Sequence, residues 1–476
     1  MSAAAPRLSL YTSVAIVVGS IIGSGLFIKP AAMAQQLGSP LLLLLIWVLA
    51  GVMSLLGALI FAELGAMMPK TGGLFVHFHH LFGAPTAFLY GWSAFAIINT
   101  ASVAAIAFVC ASYIGQFAAL PQCSEALVLR FAVPLPGLGT LYPLKDIGIK
   151  VVAIILVMAL SYFNGKSLKA GGRFQQVSAI INFSIIVLLS IGLLSARSGT
   201  ISHLSYSYAY PDIMTLLGGV VAAFTGAFFA YDGWINIVSM AGEIKEPQRN
   251  IPRSLLLGVA ICMFIYLIIN FSYLYVLPVD VMAASELVAA DAMRVAQGNG
   301  FALLAGGMIV CCTLGAINAN VMATARVTYA MGRDGVLSNW FGQLEPKAGT
   351  PRNALLMHGS WTSFLIFSGS FDLLADMYVF ITWLVYTLGA IGIFYWRYKE
   401  PARQRPYKIA GHPYITLFFI LFSAAYLVAT IYKDVSLFLE GKQPVINSLL
   451  ALLVVLAGIP IYFFSTRRRS LPVKID

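Results

Sequence analysis

The sequence predicts an all-α membrane protein of twelve transmembrane helices, folded as one transmembrane domain over residues 1–476, and three observations carry that expectation. Only 10% of the residues are charged and 60% are hydrophobic, against a charged share of roughly 25% in soluble domains. With a mean hydropathy of +0.87, such a chain cannot cover itself with polar surface. Long apolar runs recur, as in LLLLLIWVLAGVMSLLGALIF at 41–61, each near the ~20 residues that cross a ~30 Å hydrocarbon core. The basic residues, finally, gather in alternate loops.

Taken in order, hydropathy and turn signals place spans at 10–34, 40–67, 84–117, 144–165, 172–196, 212–241, 253–277, 299–331, 353–371, 374–396, 412–432 and 446–466. The first run begins near Leu10 after a minimal charged preface and continues past any small-residue cleavage site, so it reads as a retained span rather than a cleaved leader. The longest polar stretches, 333–353 and 397–413, are loop-sized and insert no soluble domain.

With the N-terminus inside, Lys166, Lys169 and Arg173, then Lys245, Arg249 and Arg253, then Arg397, Lys399, Arg403, Arg405 and Lys408, and finally Arg467, Arg468 and Arg469 all fall on one side. Asp280, Glu286, Asp291, Asp372 and Asp376 fall on the other. That asymmetry makes both termini cytoplasmic. It also accounts for the net charge of +11 without a nucleic-acid partner, leaving contacts to anionic membrane lipid as the second use of the basic loops. Cys110, Cys123, Cys262, Cys311 and Cys312 show no CxxC or Cys/His ligand spacing, so no metal, cofactor or disulfide framework is expected.

Two spans break the apolar pattern. The first, VAIVVGSIIGSGLFIKP at 14–30, clusters Gly19, Gly23 and Gly25 with Ser20 and Ser24 at mid-membrane depth. Glycine in a helix interior costs about 1 kcal/mol, and clustered small residues fit either an unwound segment or close helix packing. An unwound segment would expose amide N–H groups near Ser24 and Gly25, suited to a carboxylate, and carbonyls near Ile21, suited to an ammonium. The sixth span, GGVVAAFTGAFFAYDGWINI at 218–237, carries Asp232 and Gly233 inside an apolar stretch. An ionisable residue at that depth costs at least ~2.5 kcal/mol on insertion scales and normally faces a cavity or partner. Four spans separate the two interruptions, the spacing expected of inverted repeats around a central transport site.

On GSIIGSGLFIKP (19–30), AELGAMMPKTGGLF (62–75), FAYDGW (229–234), GEIKEPQRNIPRS (242–254) and ARVTYAMGRDGVLSNWF (325–341), the chain resembles the amino acid–polyamine–organocation (APC) superfamily. Within it the chain is similar to the L-type amino acid transporters and their bacterial relatives, including the bacterial serine/threonine exchanger. The resemblance implies a LeuT-type fold, with a five-helix repeat over 10–196, its inverted partner over 212–396 and accessory helices over 412–466. It implies that spans one and six unwind around the substrate. Gly23, Ser24 and Gly25 would bind its carboxylate, carbonyls of Ile21, Phe229 and Ala230 its ammonium, and Phe229 would be the gate.

The function so implied is secondary active transport by alternating access, most simply exchange of small or neutral L-amino acids. A cationic substrate, or proton- or sodium-coupled symport, is the alternative, because the DGW variant that contains Asp232 suits both substrate classes. A fifth-span lysine of many relatives is matched here by Asn182, which keeps hydrogen bonding and loses a fixed charge. Cys123 follows span three, where eukaryotic relatives bond a glycoprotein heavy chain; a free thiol and no such partner are expected here. No HExxH or GxSxG pattern points to an enzyme. Glu63 reads as a carboxylate bonding loop backbone, His77, His79 and His80 as a loop cluster without metal companions, and Asn318, Asn320, Thr382 and Trp383 as either packing or site residues.

Overall fold

The computed structural model describes residues 8–69, 73–166, 181, 184–206, 212–333, 338–346 and 349–467. Among them, eight helices are long and apolar enough to cross a membrane, and nine when the bent pair Leu10–Ile21 and Gly25–Leu37 counts as one span. The eight are Pro40–Met67, Ala84–Ile114, Ile147–Lys166, Ile213–Tyr231, Pro247–Val276, Asn299–Arg333, Phe371–Lys399 and Tyr414–Leu439. Shorter apolar helices occupy Ser184–Leu194 and Asn447–Phe463, and Arg352–Ser368 is a helix of 17 residues. The chain is thus a multi-pass, helical membrane protein.

Several boundaries differ from the sequence expectation for local reasons. The helix expected from residue 253 starts at Pro247, since a proline in the first helical turn forfeits no intrahelical bond. The last apolar segment divides at Ala457 into Asn447–Leu456 and Gly458–Arg467. At Gly458 a Cβ would lie 2.4 Å from Cδ1 of Trp92, so the helix needs a glycine where that indole crosses it. A two-stranded antiparallel hairpin, Val133–Leu135 with Gly139–Leu141, interrupts the helical pattern in a connecting segment. Its turn uses Gly137 and Gly139 at positive φ (73° and 122°), a region that side chains with a Cβ avoid.

The chain forms two compact units. One comprises Met1–Tyr90, Leu188–Gly298 and Thr382–Thr430. Here Leu10–Ile21 packs on Pro247–Val276, which lies along Pro40–Met67, and Gly25–Leu37 packs on Ile213–Tyr231. Small residues set these crossings: a Cβ at Gly258 would lie 2.4 Å from Val17 Cγ1, and one at Gly51 would lie 2.5 Å from Met263 Cγ. With no hydrophobic drive between helices in lipid, such close approach is what yields packing energy.

The other unit comprises Gly91–Val187, Asn299–Ile381 and Ile431–Asp476. Helices Ile147–Lys166, Asn299–Arg333 and Arg352–Ser368 pack against one another and against residues 99–114. Several buried polar groups find partners within it. Lys150, 2% exposed, donates to the carbonyls of Tyr142, Pro143 and Phe367 at 3.0, 3.0 and 3.1 Å. Asn164 donates to Asn318 Oδ1 at 2.8 Å. A π-helical turn at Ala94–Ile98 frees carbonyls that Thr100 Oγ1 and Trp361 Nε1 take up, each at 2.9 Å.

Candidate functional site

The first half-helix, Leu10–Ile21, starts at an N-capping Ser9 and ends at Ile22, whose backbone is extended and whose N–H returns to Val18 O. Gly23 and Ser24 carry the chain through a bend, and a second half-helix opens at Gly25 with its axis turned by 47°. Ser24 caps nothing: its Oγ makes no capping bond, is 2% exposed and has no hydrogen-bond partner. A buried, unanswered hydroxyl costs about 1–3 kcal/mol. It sits here at the N-terminus of a 13-residue helix, where first-turn N–H groups and the helix dipole both favour an anion. Gly23 lies beside it in open space, since a Cβ there would meet only Ile21 O at 3.9 Å.

The second interruption lies in the same unit. Helix Ile213–Tyr231, capped by Asp212, ends where the Asp232 N–H bonds Phe228 O and Gly233 adopts φ +111°. A Cβ at Gly233 would lie 2.3 Å from Ser20 O, and one at Gly25 would lie 2.8 Å from Ala230 Cα and 3.1 Å from Phe229 Cδ1. Glycine at both positions therefore lets the two broken backbones touch. The carbonyl ends of Leu10–Ile21 and Ile213–Tyr231 converge: Tyr266 Oη lies 2.9 Å from Ile21 O and 2.8 Å from Ala230 O. One part of the site is thus rich in amide donors and another in carbonyl acceptors, a pattern that complements a zwitterion.

Phe229 is 8% exposed, and Lys29 of the second half-helix holds its Nζ 5.6 Å from the ring centroid. Asp232 accepts a hydrogen bond on Oδ1 from the Tyr386 hydroxyl at 2.5 Å. Tyr386 is itself held between Trp234 and Phe61, at centroid distances of 4.7 and 5.6 Å. Of the site residues expected from sequence, Ile21, Gly23, Ser24, Gly25, Phe229, Ala230 and Asp232 all belong to this unit. Asn182 lies outside the described residues.

Tyr266 and Tyr386 are the site residues that sequence reasoning missed. The available signal was chemical: a tyrosine inside a long apolar helix has a hydroxyl that needs a partner.

The remaining candidates have other roles. Glu63, fully buried, receives Arg397 through Nε at 2.8 Å and through its terminal guanidinium nitrogen, and accepts the Ile409 N–H at 3.1 Å. Arg405 Nε stands 3.6 Å from the same carboxylate. His77, expected in a loop, belongs instead to a helix, Gly73–Phe82, and burial pushes its imidazole down to about 4. Asn318 is spent on Asn164, and Asn320 donates to Ala316 O at 2.8 Å. Trp383 packs on Phe228 at a centroid distance of 3.8 Å. No cluster of three or more His, Cys, Asp or Glu residues suited to a metal occurs among the described residues.

Comparison with known proteins converges on the same chemistry. The amino acid permease family profile matches residues 8–460. The Asc-type amino acid transporter 1 of Mus musculus is 27% identical over 474 residues, covering 98% of this chain and 82% of the relative. The b(0,+)-type amino acid transporter 1 of Homo sapiens is 27% identical over 462 residues, covering 96% and 87%. The large neutral amino acids transporter small subunit 2 of Rattus norvegicus is 28% identical over 466 residues, covering 96% and 80%.

Proposed function

The chain belongs to the amino acid permease family, and on that premise we propose that it exchanges small or neutral L-amino acids across the cell membrane by alternating access. Transport of an amino acid follows from the family and its relatives. The finer reading is supported above all by one observation: the buried, unpartnered Ser24 Oγ at the head of Gly25–Leu37, in the same unit as the converging carbonyls of Ile21 and Ala230.

On this reading the substrate carboxylate takes the Ser24 hydroxyl and the N–H groups of Gly23, Ser24 and Gly25. The α-ammonium takes the carbonyls of Ile21, Phe229 and Ala230, and Phe229 closes over the ligand as a gate. The architecture is the twelve-span arrangement of two inverted five-helix repeats, over 10–196 and 212–396, with accessory helices over 412–466 and both termini cytoplasmic. On the resemblance, Asn182 stands where many relatives carry a lysine, and this chain lacks that fixed charge. A neutral substrate is proposed over a cationic one, in keeping with the name of one relative, a large neutral amino acids transporter. That name also describes a small subunit; the exchanger proposed here works without a covalently attached heavy chain.

Uptake of labelled amino acids into proteoliposomes, empty or preloaded with unlabelled substrate, with and without a sodium or proton gradient, tests the proposal. Exchange requires preloading, whereas uptake driven by a gradient into empty vesicles would replace exchange by symport. Ser24→Ala is expected to keep the protein folded and raise KM at least about tenfold, from the ~1.5–3 kcal/mol of a lost hydrogen bond to a charged group. An unchanged KM would remove Ser24 from the site.

A further inference from the structure

We propose that Lys29 is a specificity-determining residue, its positive charge beside Phe229 disfavouring amino acids with cationic side chains. The inference deepens the transport reading and rests on its placing of Phe229 over the ligand.

Lys29 lies on Gly25–Leu37, about one helical turn beyond the amide-rich end of that helix. Residues four apart share a helix face, so Gly25, Lys29 and Met33 form one stripe, and it is turned toward Ile213–Tyr231. A Cβ at Gly25 would meet Ala230 and Phe229, and a Cβ at Gly226 would lie 3.2 Å from Met33 Cγ and 3.6 Å from Lys29 Cδ. The lysine stem therefore runs past a glycine, and its Nζ stops 5.6 Å from the centre of the Phe229 ring. Lys29 is 4% exposed and Phe229 8%, and both belong to the unit that holds Ser24, Ile21 and Ala230.

A lysine in an apolar span is costly and normally faces a substrate path or a partner. Long basic side chains commonly carry their charge out to water, whereas this one is turned inward onto an aromatic face. Cation–π attraction offsets part of the burial and leaves the net charge in place. On the proposed reading the ligand is anchored by its carboxylate and α-ammonium, so its side chain is the part that varies beside Phe229. A second positive charge brought to about 8 Å from Nζ, at an effective dielectric constant of about 20, is disfavoured by roughly thirtyfold. A neutral side chain of the same length meets no such repulsion. The carboxylate of Asp232, three residues beyond Phe229, acts in the opposite sense, so removal of Lys29 is expected to open the site to cationic side chains.

The test uses full-length protein in proteoliposomes preloaded with an amino acid that the wild type exchanges. Counterflow of the labelled amino acid is inhibited from outside by unlabelled lysine or by norleucine, which has the same straight chain without the terminal ammonium. In the wild type, the half-inhibitory concentration of lysine is expected to exceed that of norleucine at least thirtyfold. Lys29→Met, which keeps an unbranched stem and removes the charge, is expected to lower that ratio at least tenfold. Lys29→Arg, which keeps the charge on a different head group, is expected to hold the ratio within about threefold of wild type.

A merely structural lysine would change the amount of folded protein without changing the ratio. Lys29→Gln repeats the measurement should the Met variant not fold, and the wild-type ratio stands as a test by itself. A wild-type ratio near one, a ratio within twofold of wild type in the folded neutral variants, or a fall in Lys29→Arg equal to that in Lys29→Met would overturn the proposal while leaving amino acid exchange intact. Absence of counterflow for every amino acid in the wild type would instead overturn the transport reading, and this proposal with it.

Discussion

Adding one methyl group at Gly25 is expected to arrest exchange without unfolding the protein. The new Cβ would lie 2.8 Å from both Cα and Cβ of Ala230 and 3.1 Å from Phe229 Cδ1. The Phe229 ring can rotate away, but Ala230 Cα is backbone in a helix and cannot. Overpacking of this kind costs about 1–3 kcal/mol. On the proposed alternating-access reading, the strain exists only while the two broken segments touch, so it falls on the closed arrangement and is relieved when they part. At 1.4 kcal/mol per factor of ten, closure should be disfavoured roughly 5- to 150-fold. Counterflow in proteoliposomes, normalised to folded protein, reads the effect, with thermal melting of the purified protein as a check on folding. Gly19→Ala is the control, because a Cβ at Gly19 meets nothing within 4 Å and alanine is the better helix former by about 1 kcal/mol. Exchange by Gly25→Ala within twofold of wild type would mean that contact between the two breaks has no part in the cycle.

Asp232→Ala removes the acceptor and Tyr386→Phe the donor of one hydrogen bond, and each is expected to lower uptake at least tenfold. The double variant should be little worse than either single one, as groups that act through one bond are not additive; full additivity in a double-mutant cycle would separate their roles. Glu63→Gln leaves the guanidinium groups of Arg397 and Arg405 at the former carboxylate without a counter-charge, and a loss of about 3–5 kcal/mol is expected. It should be visible as a lowered melting temperature, and an unaltered one would show that the cluster contributes nothing to stability.

The helices and the break in the first span were legible because both are local properties. Twenty apolar residues need a helix in lipid whatever surrounds them, and Gly23, Ser24 and Gly25 weaken that helix by their own conformational preferences. The interruption after Tyr231 was legible for a similar reason, since Asp232 and Gly233 stand out against an apolar run. Tyr266 was not legible as a site residue. Its hydropathy fits the helix whether its hydroxyl is functional or merely buried, and its acceptors lie 245 and 36 residues away in sequence. The same holds for Tyr386, which is 154 residues from Asp232. His77 was misplaced in a loop because the short connection between two spans offers too few residues to reveal helical periodicity, and its burial depends on packing alone.

The site's recognition groups explain how binding and closure can be one event. On the proposed reading, both charged ends of the ligand are met chiefly by backbone: amides at the head of Gly25–Leu37, carbonyls at the tails of Leu10–Ile21 and Ile213–Tyr231. Every α-amino acid offers the same two groups, so this anchor is indifferent to the side chain, and discrimination falls to what surrounds it, Phe229 first. The donors belong to one interrupted span, whereas the acceptors are divided between both. A ligand that satisfies all of them must draw the two interruptions together, and the close approach of Gly25 to Ala230 and of Gly233 to Ser20 is what that state requires. Differential affinity for the closed arrangement then drives occlusion. A ligand lacking either charged end has no comparable preference, and should bind weakly without being carried.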